Sequence, residues 1–386
     1  FELVLEKDKI TGNAQVKTGT DSGFQVSLTS SGFSLAHLNQ IPVVGFPEGS
    51  AGISAKVWQS KSSPEGIHYS GKVTVENATL TVGPMNEPFK QINAQIKVAD
   101  QKADIPKASF LFGESTYRLE AEITDLATSN IRGNLYGDVL DVNRIIAAFK
   151  KPKDAPKKKT SSSGTKGLPF SLELDVEADE MLLDKFRAGA VSTTWHTTGR
   201  VQKFHPVQIA AFGGTLGGTF ELAVMKEGTT WKTDFKGQKM KLEELSPQLF
   251  GKEKKRRSKG SLNAEGTLKG GGSSPGNGGA WKTLNGQVVL SATDATFIQS
   301  SLFRNLLLAT AGPVGTLLNI VTFKDRTIDV SSLFFKTVNG TFNVTNGKAL
   351  TEDLYFDGSA VDFRFKGYID FAENYMDMKV QAIPLA

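Results

Sequence analysis

The chain has 386 residues, of which 39% are hydrophobic and 22% are charged, so it is able to fold and is not a disordered polyelectrolyte. It contains no Cys and only four scattered His, which excludes a disulfide framework, a thiolate zinc site and a cysteine nucleophile. Its net charge of +5 comes from two basic tracts, Lys150 to Lys159 and Lys252 to Lys259, while the rest is net acidic, which argues against nucleic-acid binding.

Apolar residues alternate with polar ones along much of the chain, which is the period of a half-buried β-strand. The alternation predicts strands over residues 67–75, 92–98, 170–176, 361–369 and 376–382. Each of these strands has one apolar face and one polar or charged face. This is the pattern of an antiparallel sheet that meets water on one side.

Turn-forming residues separate these segments at short intervals and predict tight connections between strands. They lie at residues 21–23, 64–66, 285–286, 339–340, 346–347 and 357–358. A sheet built from so many one-sided strands must cover its apolar face. It can pack on a second sheet, close into a barrel, or curl around something apolar.

Helical periodicity is scarce in this sequence. Short helices are predicted over residues 139–149 and 242–250. The clearest pattern runs from 297 to 309, where four apolar residues share one helical face, and we expect this helix to pack on the sheet.

Two basic, turn-rich stretches divide the chain. The first is rich in Lys, Pro, Ser and Gly, as mobile linkers are. The predicted organisation is an N-terminal β-segment at 1–149, a basic linker at 150–167, a second β-segment at 168–250, a basic loop at 251–260, and a C-terminal β-segment at 261–386 with the short amphipathic helix.

Motifs of catalysis occur in the wrong context. Residues 272–276 spell G-x-S-x-G, but no helix follows the serine, as a nucleophile elbow requires. Residues 66–72 spell G-x-x-x-x-G-K, but Val73 replaces the Ser or Thr that would hold magnesium. We therefore expect no enzymatic activity, no catalytic residue, no metal site and no cofactor.

The abundance of Phe points in another direction. Phe supplies 25 of the aromatic residues, against six Tyr and four Trp. Its ring carries no polar group, so this composition favours a dry apolar surface. No apolar run is long enough to cross a bilayer as a helix. The first residue is Phe1 and not Met, so we expect a piece of a longer protein that lacks an N-terminal anchor.

Three segments of residues 168–386 follow a recognisable order. They are the strand FSLELDVEADEMLL at 170–183, AFGGTLGGTFEL at 211–222, and the strand LNGQVVL at 284–290. In these segments, residues 168–386 resemble the AsmA-like family of bacterial envelope proteins. The closing segment from Asn346 to Leu354 is also similar to the C-termini of this family, whereas the N-terminal 149 residues match in pattern only.

The resemblance implies an all-β fold in which an elongated, curled antiparallel sheet forms a taco-like apolar groove, with a few short helices near the C-terminal third. It implies non-enzymatic transport of phospholipids between the inner and outer membranes, by a periplasmic protein anchored to the inner membrane. The expected partners are acyl chains, membrane surfaces touched by the two basic tracts, and envelope proteins, with no nucleic acid.

Nine residues are predicted to line the apolar face and contact lipid. They are Phe170, Leu172, Leu174, Phe220, Leu222, Phe342, Phe356, Phe363 and Phe365. Replacing Phe363 with Asp is expected to block lipid passage while leaving the sheet folded. The alternative function is a scaffold or assembly factor for outer-membrane proteins that binds strands at a sheet edge. A closed β-sandwich without a cavity is a further possibility.

Overall fold

Strands dominate the structure, as the alternating pattern predicts. The computed structural model describes residues 2–5, 8–18, 22–38, 44–60, 66–82, 85–126, 130–148, 171–183, 186–225, 228–250, 257–272, 282–298, 320–323, 326–329, 332–359, 361–373 and 375–384. The chain divides into two units, unit 1 (Phe1–Arg200) and unit 2 (Val201–Ala386).

Unit 1 contains twelve strands among its described residues. They are β1 (Glu2–Leu5), β2 (Asp8–Lys17), β3 (Gly23–Ser34), β4 (Val44–Ser60), β5 (His68–Val82), β6 (Phe89–Ala99), β7 (Lys102–Phe112), β8 (Ser115–Asp125), β9 (Asn130–Asp141), β10 (Ser171–Leu183), β11 (Phe186–Ala188) and β12 (Val191–Thr198). From β1 to β9 each strand pairs antiparallel with the next, and β10 pairs antiparallel with β11 and β12. Strands β9 and β10 are parallel.

Short helices follow two strands of unit 1. A 3-10 helix, η1 (Leu35–Leu38), follows β3, and α1 (Val142–Ala148) follows β9. Asp141 caps α1, because its carboxylate accepts a hydrogen bond from the backbone N–H of Arg144 at 3.0 Å. The guanidinium of Arg144 also pairs with Glu87, with Nε 2.9 Å from both carboxylate oxygens. This ion pair ties α1 to the segment before β6.

The Glu87–Arg144 pair makes the stability of unit 1 depend on pH. Hydrogen bonding to Arg144 lowers the pKa of Glu87 below its usual value of 4.5. A lowered pKa in the folded state contributes stability above pH 4.5, and this contribution is lost as the pH falls through the folded pKa. We expect Glu87→Gln to lower the free energy of unfolding at neutral pH, and the difference from the wild type to shrink in acid.

Urea titrations of both proteins at neutral and acidic pH measure this difference. Arg144→Lys is the matched variant, since it keeps the charge but loses the planar pair of donors, and it should fall between the two. A Glu87→Gln effect of the same size at both pH values would contradict the assignment.

Unit 2 contains eleven strands among its described residues. They are β13 (Val201–Ala211), β14 (Gly214–Met225), β15 (Gly228–Lys241), β16 (Arg257–Gly272), β17 (Asn285–Ile298), β18 (Ile320–Phe323), β19 (Arg326–Asp329), β20 (Ser332–Thr345), β21 (Lys348–Gly358), β22 (Val361–Asp370) and β23 (Tyr375–Pro384). Strands β13 to β17 and β20 to β23 form one antiparallel meander, while β18 and β19 form a separate hairpin. The helix α2 (Leu242–Phe250) follows β15.

The predicted fold class is confirmed: the protein is dominated by strands in an open, mostly antiparallel sheet. All five predicted strands are present, and helices form at two of the predicted places, Val142–Ala148 and Leu242–Phe250. Among the described strands of unit 2, β23 pairs only with β22, so this sheet is not closed.

Two local predictions need correction, and parts of both lie outside the described residues. The helix predicted from Phe297 does not begin there, because β17 continues through Ile298, and residues 299–319 lie outside the described part. The end of the predicted basic loop, 257–260, belongs to β16. Residues 251–256 and the linker 150–167 lie outside the described part of the chain. The division into three β-segments remains a prediction.

Two of the Asn-Gly pairs predicted as turns are strand residues instead. Asn346-Gly347 does form the turn between β20 and β21. In contrast, Asn285-Gly286 begins β17, and Asn339-Gly340 lies inside β20. Gly286 has a φ of 144°, and a Cβ built on it would lie 1.9 Å from the carbonyl oxygen of Thr267. Glycine is required there by the close approach of β16, and not by a turn.

Candidate functional site

Unit 1 presents an apolar face on β5 and β6. In β6 the side chains at 92, 94, 96 and 98 are half-buried, while those between them are exposed. Strand register aligns these positions with apolar or small residues on β5, as in Ile96 opposite Val73 and Val98 opposite Gly71. Half-burial along a whole strand shows that no second layer covers this part of the face among the described residues.

Two clusters close parts of this face. One contains Leu35 of η1 with Ala51 and Ala78. The other contains Phe112 and Tyr117 with residues of α1, including Ala148. Both helices of unit 1 therefore pack on the apolar face, and the strands between these clusters keep it half-exposed.

Two of the predicted contacts, Leu172 and Leu174, lie on the same face of β10. Leu174 is buried, opposite Trp195 of β12 and Gly133 of β9. Leu172 is half-buried. The third predicted contact near this strand, Phe170, lies outside the described residues.

Unit 2 also has an apolar face, to which β14 contributes two of the predicted residues. Phe220 and Leu222 are half-buried there, opposite Thr233 and Trp231 of β15. The rings of Phe220 and Trp231 stack with centroids 6.5 Å apart. The predicted pair on β14 thus shares a face with the aromatic side chain of the next strand.

One region of this face is a packed aromatic cluster and not an open surface. Phe335, Phe356, Phe363 and Phe365 contact one another, with ring centroids 5.2 Å apart for Phe335 and Phe356 and 5.1 Å apart for Phe356 and Phe365. Phe363 is only 1% exposed and Phe365 is also buried. Three predicted contacts therefore lie in or against the core of unit 2, joined by Leu242 of α2. Their role as lipid contacts remains a prediction.

The remaining predicted residue, Phe342, lines an open apolar concavity of about 260 Å³. Every residue that lines it is hydrophobic. They are Leu268, Leu284, Val288, Leu290, Phe342, Val344, Ala349, Ile369 and Phe371. Sequence reasoning selected only Phe342 from this set. Val288 and Leu290 carry a strand pattern that could have identified them, whereas Leu284 and Phe371 follow no periodic pattern because they flank strands.

The opposite face of the strands in both units is mostly polar and charged. Cross-strand ion pairs cover it, including Lys203 with Glu221 at 3.4 Å and Arg132 with Glu173 at 3.5 Å. These side chains are exposed, and such pairs each contribute little to stability. The opposite face carries only scattered exposed apolar side chains such as Phe334 and Val289, so the apolar face is the distinctive surface.

Polar side chains of unit 2, one of them buried, brace strands and turns. The buried carboxylate of Asp362 accepts hydrogen bonds from the Tyr355 hydroxyl at 2.5 Å and the Gly358 N–H at 3.0 Å. The bond to Asp362 raises the pKa of Tyr355. Asp353 accepts a bond from the N–H of Thr341 at 2.8 Å, which lowers the pKa of Asp353. Within the described ranges, no group of His, Asp and Glu could hold a metal ion.

The comparisons with known proteins agree with this geometry. The open, mostly antiparallel sheet is consistent with the curled groove expected of the AsmA-like group of bacterial envelope lipid transport, and the family match that follows confirms the resemblance to this group. A family model described as "YhdP protein" matches residues 3–385, and the chain belongs to the YhdP family. No curated protein and no solved structure gives a significant match. In the described part of the chain, no helix has the length and hydrophobicity to cross a bilayer.

Proposed function

We propose that the protein carries phospholipids along its apolar faces between the inner and outer membranes of a bacterial envelope, without altering them chemically. The observation that supports this most is the half-exposed apolar face of each unit, which offers a surface for acyl chains. Membership of the YhdP family supports the same assignment to envelope lipid transport. The proposal includes a periplasmic location.

The physical chemistry of such a face suits transport. Burying each methylene group contributes about 0.8 kcal/mol, and the interaction is not directional. A lipid can therefore bind firmly through its acyl chains and still move from one position to the next at little cost. The charged opposite face gives acyl chains no comparable surface, so movement is confined to one side of the sheet.

A single charge placed on the apolar face tests this proposal. Ile96 is half-buried on that face of β6, and its neighbour Gln95 is exposed on the other face. We expect Ile96→Asp to reduce phospholipid binding and transfer several-fold, because a carboxylate must give up its hydration to contact acyl chains. Gln95→Asp adds the same charge to the same strand and should leave both unchanged.

Binding is measured by native mass spectrometry with lipid extraction, and transfer by a fluorescent phospholipid moving between donor and acceptor vesicles. Circular dichroism establishes folding. If Ile96→Asp fails to fold, Ile96→Thr provides a milder polar change with high strand propensity. A folded Ile96 variant with wild-type binding and transfer would refute the proposal.

A second candidate function is a scaffold for outer-membrane proteins. It is favoured by β23, which pairs only with β22 among the described strands and so offers a free edge to an incoming strand. The two functions differ in what purifies with the protein. Phospholipid favours transport, whereas a stoichiometric polypeptide whose binding is lost on Val380→Pro in the edge strand favours the scaffold.

The predicted membrane contact of the two basic tracts belongs to the proposal as well. Residues 150–159 and 252–256 lie outside the described part of the chain, and only the end of the second tract, in β16, is described. Lys259 in that strand is exposed. Clusters of Lys and Arg at a membrane surface attract anionic lipids, which supports this placement.

A further inference from the structure

The apolar concavity of unit 2 is bounded on several sides by this chain. At one end, Leu284 comes directly before β17 and Phe371 comes directly after β22. Backbone hydrogen bonds join these segments through the turn between β20 and β21, from Gly347 N–H to the Leu284 carbonyl at 2.9 Å and from Phe371 N–H to the Gly347 carbonyl at 3.0 Å. Leu284 is buried, so this end has a fixed apolar wall.

The other end adjoins the aromatic cluster. On β17 the lining residue Leu290 is followed on the same face by Ala292, which belongs to that cluster. On β20 the face continues from Phe342 to the buried Gly340. A Cβ on Gly340 would lie 2.8 Å from Leu354 Cδ1, so Leu354 covers this position. The concavity therefore occupies a limited length of the face.

The size and chemistry of the concavity restrict what it can hold. Its volume of about 260 Å³ is below the range of about 300–1,000 Å³ that is typical of sites for drug-sized ligands. An apolar cavity of about 150 Å³ already binds benzene. All lining residues are hydrophobic, so the site offers no partner to a polar headgroup. A segment of one alkyl chain fits both limits.

We propose that this concavity is a discrete binding site for the terminal part of a single alkyl chain, with Leu284 and Phe371 contacting its methyl end. Phe371 is 42% exposed, whereas Leu284 is buried, so Phe371 forms the solvent-facing wall of the site. The inference deepens the proposed function and rests on it for the source of the chain, which is an acyl chain of a lipid.

Trp231 gives this site its own readout. Its ring packs against the cluster of Leu284, Val344 and Ala349, all three of which line the concavity. Replacing the other Trp residues, Trp58, Trp195 and Trp281, with Phe leaves Trp231 as the single fluorophore. A saturated fatty acid brominated near its methyl end should then quench Trp231 more strongly than one brominated near its carboxylate.

Two neighbouring substitutions provide the test and its control. Val288 is half-buried and lines the concavity, whereas Val289 is exposed on the opposite face. We expect Val288→Phe to fill the space and raise the dissociation constant of the methyl-end probe, measured by quenching, about tenfold. Excluding about two methylene groups is enough for that loss of affinity. Val289→Phe adds the same volume on the other face and should change nothing.

The variant Phe371→Ala provides a separate test. Phe371→Ala removes apolar contact at the closed end, so it should weaken binding of the methyl-end probe several-fold and reduce the difference between the two bromine positions. Equal quenching by both probes in the wild type, or quenching unchanged by Val288→Phe in a folded protein, would overturn the proposal. If Val288→Phe does not fold, the variants Leu290→Met and Phe371→Ala are compared with the wild type in its place.

The outcome separates this site from the wider function. Loss of phospholipid transfer in Ile96→Asp together with unchanged quenching in Val288→Phe would refute the alkyl site and leave transport standing. Position-dependent quenching in a protein that transfers no phospholipid would support the site and refute transport. A phospholipid brominated on one acyl chain, compared with the free fatty acid, identifies which of the two sources occupies it.

Discussion

Replacing Phe363 with Ala should lower the free energy of unfolding of unit 2 by about 3–5 kcal/mol, the usual loss for a buried Phe. Phe363 is 1% exposed and lies opposite Phe356, with its ring 6.0 Å from that of Phe335. Truncation removes apolar burial and leaves a cavity that the surrounding strands fill only in part. Denaturant unfolding of the purified chain measures the loss.

Phe334→Ala is the matched control for this prediction. Phe334 lies on the opposite face of β20 and is 45% exposed. Its truncation should change the free energy of unfolding by no more than about 0.5 kcal/mol, as at other surface positions. Equal losses for the two variants would show that the aromatic cluster is not the core of unit 2.

The burial of Phe363 also changes how the apolar face is best tested. An Asp at this position would place an unpaired charge among aromatic rings, so we expect unit 2 to unfold. The sequence alone suggested that Phe363→Asp would leave the sheet folded, because strand alternation cannot separate a fully packed position from an open one. Half-buried positions such as Ile96 and Val288 are the better probes.

Gly286→Ala should destabilise unit 2 by about 3 kcal/mol, at the upper end of the cost of a strained backbone conformation. The φ of 144° is one that side chains rarely adopt, and the new Cβ would lie 1.9 Å from the Thr267 carbonyl oxygen. The neighbouring atom belongs to the backbone, so β16 must move to relieve the contact. Shifts in the urea midpoint at constant slope measure the effect.

Gly217→Ala is the control for the glycine prediction. A Cβ on Gly217 would lie 3.4 Å from the Val207 carbonyl oxygen, which is ordinary van der Waals contact. We expect this variant to be close to the wild type in stability, because Ala adds no clash and has less backbone freedom to lose than Gly. A similar loss at both glycines would contradict the role assigned to the close approach of β16.

Strands were predictable from the sequence because half-burial of a sheet leaves a period-two pattern. The extended segments around 92–98 and 361–369 carry that pattern over their whole length, and both are strands. The helix α2 was also predicted with the correct bounds, 242–250. These elements depend on residues within a few positions of one another, which a single sequence displays.

The face of each residue was less predictable, because register shifts reverse the alternation. By strict alternation Leu350, Leu354 and Phe356 would share one face. The register of β21 shifts between Thr351 and Leu354, so Phe356 joins the core while Leu350 is 45% exposed on the opposite side. A bulge depends on the partner strand, so β21 alone contains no signal for it.

The end wall of the concavity was unpredictable for a related reason. Leu284 and Phe371 are far apart in sequence and lie outside regular strands. Both line the concavity, and hydrogen bonds through Gly347 link their backbones. An isolated apolar residue beside a strand is ordinary in any protein, so only the tertiary structure identifies these two as neighbours.

The wholly hydrophobic lining of the concavity has a consequence for genetics. A site without hydrogen bonds or charges loses little when one aliphatic side chain replaces another of similar volume, since such swaps cost less than about 1.5 kcal/mol even in cores. Conservative single substitutions at Val288 or Ile369 should therefore be silent in a growth screen. Truncating substitutions at the buried Phe335 and Phe363 should instead cause loss of function through folding.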